Sequence, residues 1–104
     1  MHSVSQKLKL RPNPPQTPTG LKVDSATVTT ANISWSPVVY DGGIKEYQIL
    51  RNGKQVGTSV ATTYKDTGLT GDTTYSYQVK AVGNNGLSST LSVELSVKTN
   101  ASGS

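Results

Sequence analysis

The sequence contains no cysteine, and its single histidine is His2. Without thiols the chain can form no disulfide, no thiolate metal site and no thiol nucleophile. Six acidic residues are scattered over different predicted strands and loops, and three of them, Asp41, Asp66 and Asp72, adjoin glycine or threonine in turn-forming stretches. A hydrolase needs a nucleophile with a base, a pair of carboxylates or a metal. We therefore predict no catalytic residue, no metal, no cofactor and no enzyme activity.

Long apolar runs and clustered charge are also missing. No run approaches the ~20 residues that a membrane-spanning helix needs, so we expect no membrane insertion. The net charge of +4 depends on Lys7, Lys9 and Arg11, because from residue 12 onward seven basic residues face six acidic ones. Binding of nucleic acid usually requires a clustered basic face, so we do not expect it.

Apolar and polar residues alternate along most of the chain after residue 20. The alternation is plain in ANISWS at 31–36, YQI at 47–49 and YSYQVKA at 75–81. It also covers the last predicted strand, where we expect Leu91, Val93, Leu95 and Val97 to face inward. A period of two puts one face of a strand against a core. It predicts strands at 20–25, 27–36, 44–51, 54–60, 62–67, 73–82 and 91–99.

Turn residues separate these runs. Asn52-Gly53 lies between two of them, and Asn-Gly suits the positive φ angles of a two-residue hairpin turn. Seven antiparallel strands in about 80 residues are typical of an all-β, two-sheet, immunoglobulin-like sandwich, and a barrel is the alternative. We place this domain at 18–99, after a proline-rich basic linker at 1–17 and before a flexible tail at 100–104.

Several motifs follow one another in a specific order. A proline-led start precedes Leu21, a lone Trp35 closes the second strand, and Tyr47 begins YQI in the third. The run LTGDTTY then extends from Leu69 to Tyr75. Together they resemble the fibronectin type III family, in which the last run is similar to a Leu-x-Pro-x-Thr-x-Tyr corner.

The resemblance implies a fibronectin type III sandwich whose structural residues include Trp35, Tyr47, Leu69 and Tyr75. Gly71 stands where the corner usually has proline, and it keeps a turn residue there. Tyr75 is expected to send its hydroxyl to a nearby backbone group, as in the family's tyrosine corner.

The stretch from Tyr47 to Gly86 is similar to the variety of this family found in secreted bacterial polysaccharide-degrading enzymes and in phage structural proteins. The resemblance implies a non-catalytic spacer and display unit, monomeric in isolation, in a bacterial extracellular protein or at a phage virion surface. Its partners would be neighbouring domains, and weak binding to cell-surface polysaccharide is left open. The alternatives are an accessory substrate-binding module of a secreted glycoside hydrolase and a protein-binding adhesion or receptor module.

Binding of a sugar would need an exposed aromatic ring. Five of the six aromatic residues fall on predicted inward or half-buried positions: Trp35, Tyr47, Tyr64, Tyr75 and Tyr77. Tyr40, in the loop VVYDGG, is the ring expected to be exposed. Together with Asn84 and Asn85 of the loop at 83–89, it forms a weak set of binding candidates.

Overall fold

The structure is a computed structural model that describes residues 13–101. Most of the predicted linker, with His2 and the basic residues at 7–11, and the last three residues of the predicted tail lie outside the described residues. The described part contains seven strands: β1 (Lys22–Ala26), β2 (Ala31–Ser34), β3 (Ile44–Arg51), β4 (Lys54–Ser59), β5 (Thr63–Asp66), β6 (Thr74–Gly83) and β7 (Leu95–Lys98).

The strands form two antiparallel sheets. The first has the order β1-β2-β5 and the second the order β4-β3-β6-β7. This confirms the predicted all-β, seven-stranded, immunoglobulin-like sandwich. The predicted hairpin turn joins β3 to β4, with φ angles of 53° at Asn52 and 85° at Gly53. Asn52 also accepts a hydrogen bond of 2.9 Å from the Ser76 amide through Oδ1, which ties the turn to β6.

The core lies between the two sheets. Trp35 and Tyr47 meet in an edge-to-face pair with ring centroids 5.4 Å apart, an arrangement favoured by the quadrupoles of aromatic rings. Tyr47 also accepts a 3.0 Å hydrogen bond from the Val38 amide through its hydroxyl. The other buried apolar side chains are Ala31, Ile33, Ile49, Leu69, Tyr77, Val79, Ala81 and Val97.

The last strand is shorter than predicted, and the assignment of Leu91 and Val93 to the core is wrong. Leu91 is 40% exposed and Val93 79% exposed, whereas Ser92 between them is buried. The reason is a change in how the chain pairs with β6: Ser92 accepts a 2.9 Å hydrogen bond from the Val79 amide through its hydroxyl and donates its own amide to the Val79 carbonyl. A buried hydroxyl that completes the ladder in this way turns its apolar neighbours outward.

The sandwich has two poles. At the N-terminal pole, residues 13–19 meet the loops at 36–43 and 83–89: Thr19 accepts from the Ser36 amide, and Gly43 accepts from the Asn84 amide. At the C-terminal pole, residues 99–100 meet the turns at 27–30 and 69–73. β6 runs ten residues from one pole to the other, a rise of about 30 Å. The chain thus enters and leaves the sandwich at opposite poles.

Candidate functional site

Tyr40 is the centre of the N-terminal pole. Its hydroxyl donates a hydrogen bond to the Asn13 carbonyl and accepts one of 3.0 Å from Nδ2 of Asn85. Its ring lies against Gly83, where a Cβ atom would come within 2.5 Å of the ring carbon Cε2. Tyr40 is therefore half-buried, and the expectation that its ring is exposed is wrong.

Asn84 and Asn85 lie beside Tyr40, so the structure brings the three binding candidates together. Asn84 donates a 2.7 Å hydrogen bond from Nδ2 to the Gly42 carbonyl. Asn85 accepts a 3.1 Å hydrogen bond from the Leu87 amide through Oδ1. Both side chains hold loops in place, and much of their hydrogen-bonding capacity is used inside the protein.

A cleft of about 380 Å³ opens beside the Tyr40 ring. Apolar groups of Pro14 and Val39 form part of its wall, and Val39 is 92% exposed. Amide and carboxylate side chains supply the rest. The lining residues are Asn13, Pro14, Gln16, Val39, Tyr40, Asp41 and Asn85. One ring and a few polar groups are the kind of lining that a small polar ligand would meet.

Residues 13–19, which we call the leading segment, lie against the sandwich. Pro15 and Pro18 are buried. Thr17 and Thr90 share a hydrogen bond of 2.6 Å between their hydroxyls, and the Thr19 carbonyl accepts from the Ser36 amide at 2.8 Å. Part of the stretch assigned to the linker from sequence thus packs on the domain.

Asp66 forms a buried polar cluster that the sequence reasoning missed. Its Oδ2 atom lies 2.6 Å from Nη1 of Arg51 and accepts a 2.7 Å hydrogen bond from the Tyr77 hydroxyl. The Arg51 guanidinium also lies over the Tyr75 ring, 5.7 Å from its centroid. Asp66 lies within the predicted strand 62–67 and is a buried residue of β5, so turn chemistry does not account for its carboxylate.

Two pKa shifts follow from this cluster. The hydrogen bond to Asp66 raises the pKa of Arg51, against the opposing effect of its own burial. Burial first, and the hydrogen bond to Asp66 second, raise the pKa of Tyr77 well above its ordinary value. The cluster joins β3 and β6 of one sheet to β5 of the other, so its role is to hold the sheets together. The signal that would have found it is the period of β5, which puts Asp66 on the same face as Tyr64.

The four residues singled out as structural lie as follows. Trp35, Tyr47 and Leu69 are buried. Tyr75 is half-buried, and its hydroxyl accepts a 2.9 Å hydrogen bond from the Thr70 amide, the geometry of a tyrosine corner. Leu69 donates its amide to the Thr29 carbonyl at 2.8 Å. The corner therefore attaches the start of β6 to the turn at 27–30.

Two further findings concern residues 13–101 alone. Among them, no three side chains of His, Cys, Asp or Glu are grouped so that they could hold a metal ion. The same range includes no helix that is long and apolar enough to cross a membrane.

The order of strands, the tyrosine corner and the single core tryptophan define a family. The sequence model of the fibronectin type III family matches residues 14–98, and the chain belongs to that family. Over 85% of this chain and 97% of the other, the structure superposes on the crystal structure of FN3tt with a TM-score of 0.73 and 26% identity.

Its curated relatives are much longer proteins. The chain is 47% identical to chitinase C of Streptomyces lividans over 67% of this chain and 11% of the relative. It is 40% identical to exoglucanase B of Cellulomonas fimi over 84% of this chain and 8% of the relative. It is 46% identical to a poly(3-hydroxybutyrate) depolymerase of Ralstonia pickettii over 62% of this chain and 13% of the relative. The chain thus spans about a tenth of the length of the relatives that it matches.

Proposed function

We propose that this chain is a non-catalytic accessory module of a bacterial extracellular polymer-degrading enzyme, in which it spaces the neighbouring domains. The observation that carries the proposal is the set of relatives. In each, the matching segment is a small part of a protein named for its action on a polymer. Chitin is an insoluble polymer too large to enter a cell, so an enzyme that degrades it must work outside.

The chemistry of the polymers favours spacing over recognition. Chitin and glucans are polysaccharides, whereas poly(3-hydroxybutyrate) is a polyester without sugar hydroxyls. Yet this chain is about equally similar to the matching segments of chitinase C and of the depolymerase, with identities of 47% and 46%. A module that recognised one polymer would not be expected in enzymes for such different ones. What the polymers share is that their enzymes must reach a large solid surface.

The geometry suits a spacer. The chain enters at the N-terminal pole and leaves at the C-terminal pole, so the domains on either side are held about 30 Å apart by the length of β6. A sandwich with two hydrogen-bonded sheets transmits this separation without the spread of lengths of a flexible linker. The boundaries proposed for the module are residues 18–99, with the leading segment packed on its first pole.

Direct binding of polymer is the second candidate function, and one observation favours it. The cleft beside Tyr40 has an aromatic ring and the polar side chains of Asp41 and Gln16. Weak contact with polysaccharide would take place there. A phage tail setting has no support among the relatives described above, all of which are bacterial enzymes.

A sedimentation assay separates the two candidates. The chain is mixed with insoluble chitin, cellulose and poly(3-hydroxybutyrate) granules, and the unbound fraction is measured after centrifugation. A spacer stays in the supernatant with all three. Retention on one polymer that is lost in Tyr40→Ala and kept in Val60→Ala, a change at a residue that is 87% exposed and lies outside the cleft, would replace the spacer function with substrate binding.

A further inference from the structure

We propose that Tyr40 is a positioning residue that fixes the direction in which the leading segment departs from the N-terminal pole. The proposal rests on the spacer function and deepens it, because the angle between this module and the preceding part of a parent protein would depend on one hydroxyl.

Three of the seven residues of the leading segment are prolines, Pro14, Pro15 and Pro18. Proline has no amide donor, so the segment cannot be held along a sheet edge by a regular ladder. Its attachment must come from carbonyls and side chains. Proline also stiffens the chain, so a single bond at its outer end orients the whole segment.

The bonds observed have this arrangement. Near the sandwich, the Thr19 carbonyl accepts from the Ser36 amide and the Thr17 hydroxyl meets that of Thr90. At the outer end, the Asn13 carbonyl accepts from the Tyr40 hydroxyl. The inner bonds and the buried Pro15 and Pro18 hold residues 15–19, whereas the outer bond holds Asn13. Removing the outer bond leaves Asn13 and Pro14 free to swing about the buried Pro15.

The Tyr40 hydroxyl is itself held in place from both sides. The ring rests on Gly83, whose missing side chain leaves the space that the ring occupies. Asn85 donates to the hydroxyl, and Asn84 bonds the Gly42 carbonyl two residues after Tyr40. Because the Tyr40 hydroxyl is held in one place, its hydrogen bond fixes the position of Asn13 in the leading segment.

The test is the order of backbone amides in the ¹⁵N-labelled chain. In Tyr40→Phe, which keeps the ring on Gly83 and loses the hydroxyl, we expect the order parameter of the Asn13 amide to fall from about 0.85 to below about 0.6. Gln16 and Thr19 should keep their values, because Pro15 remains buried, Thr17 remains bonded to Thr90, and the Thr19 carbonyl remains bonded to Ser36. The matched control is Tyr64→Phe, which loses a hydroxyl bonded to the Val56 carbonyl at another place and should leave the segment unchanged.

A second variant acts on the same hydroxyl by a different route. Gly83→Ala displaces the ring while keeping the hydroxyl, so it should loosen Asn13 as well. The proposal is overturned if the Asn13 amide is as ordered in Tyr40→Phe as in the wild type, or if it is already mobile in the wild type. Retention on a polymer in the sedimentation assay would refute the spacer function, but it would not alter the order parameters that test the role of Tyr40. A failure of the spacer function can therefore be distinguished from a failure of this proposal.

Discussion

The two poles of the sandwich use similar residues in different ways. Each pole has a tyrosine whose hydroxyl is hydrogen-bonded to the backbone, Tyr75 at the C-terminal pole and Tyr40 at the N-terminal pole. Each also has an asparagine that donates a hydrogen bond from Nδ2, from Asn100 to the Ala26 carbonyl and from Asn85 to the Tyr40 hydroxyl. Asn100 is also bonded through its backbone. Asn100 donates its amide to the Thr27 carbonyl and accepts through its own carbonyl from the Asp72 amide.

The two poles also differ in how deeply their hydrogen-bonded residues are buried. Thr99, at the C-terminal pole, is 2% exposed, and its hydroxyl donates to the Thr70 carbonyl at 2.6 Å. At the N-terminal pole Asn84 and Asn85 are exposed, and both bond through their side chains, with one further bond from the Asn84 amide to the Gly43 carbonyl. Backbone bonds between elements of the core form and break with the whole domain, whereas bonds between exposed side chains can break alone. We therefore expect the C-terminal pole to belong to the cooperative fold, and the side-chain contacts around Tyr40 at the N-terminal pole to be an attachment added to it.

The largest effect is expected in the core that supports both poles. Trp35→Ala removes one ring of the pair with Tyr47 and leaves a cavity, at a cost of about 3–5 kcal/mol. A domain of this kind has a stability of about 5–15 kcal/mol, so the variant should be largely unfolded under mild denaturant and both poles should be lost together. Urea denaturation followed by circular dichroism measures this. A midpoint equal to that of the wild type would mean that the pair does not support the sandwich.

The next effect concerns the cluster that joins the two sheets. Asp66→Asn keeps the shape of the side chain but leaves the partly buried Arg51 without its anion, at a cost of about 1–3 kcal/mol. The matched control is Asp72→Asn in the ion pair with Lys98, whose side chains are 65% and 66% exposed. An exposed pair contributes at most about 1 kcal/mol. Equal midpoints for the two variants in urea would contradict the role given to Asp66.

The same cluster makes stability depend on alkaline pH. Since the pKa of Tyr77 is raised above its ordinary value of 10.0, the folded state retains a proton that the unfolded state releases. The contribution of Tyr77 is thus fully present below pH 10 and is lost as the pH rises toward the folded value. Between about pH 9 and about pH 11 the urea midpoint of the wild type should fall more steeply than that of Tyr77→Phe. Parallel profiles would show that Tyr77 does not cause the loss.

A smaller effect is expected at the tyrosine corner. Tyr75→Phe removes the acceptor of the Thr70 amide and should cost about 0.5–1.5 kcal/mol, the usual net value of one hydrogen bond. The denaturation midpoint should shift while the slope of the transition stays the same. An unchanged midpoint would place the corner outside the cooperative fold.

The fold could be predicted because its pattern is local. Alternation in β3 and β6 and the turn at Asn52-Gly53 each depend on neighbouring residues, and the structure has them where they were expected. The alternation failed at Leu91 and Val93, because Ser92 bonds to a strand that lies more than ten residues earlier in the chain. Nothing in a period of two distinguishes a serine that faces water from one that completes a ladder.

The candidate site was less predictable, since it depends on contacts between distant segments. Tyr40, Asn84 and Asn85 could be chosen as loop residues, but Asn13 lies 27 residues before Tyr40 and Asn85 lies 45 after it. Because of the hydrogen bonds to these residues, the Tyr40 ring, which was expected to be exposed, is half-buried. Asp66 was missed for a related reason: its neighbours suggested a turn, and its partners Arg51 and Tyr77 come from two other strands.

The most direct test of the difference between the poles measures Tyr40→Phe and Tyr75→Phe side by side. Each variant loses one hydroxyl that bonds to the backbone, and each is examined for its urea midpoint and for the amide order of residues 13–19. Tyr40→Phe should change stability by less than about 0.5 kcal/mol and loosen the segment. Tyr75→Phe should lower the midpoint and leave the segment ordered. If Tyr40→Phe lowered the midpoint as much as Tyr75→Phe, with no loss of order at Asn13, the N-terminal pole would be part of the cooperative fold and not an attachment to it.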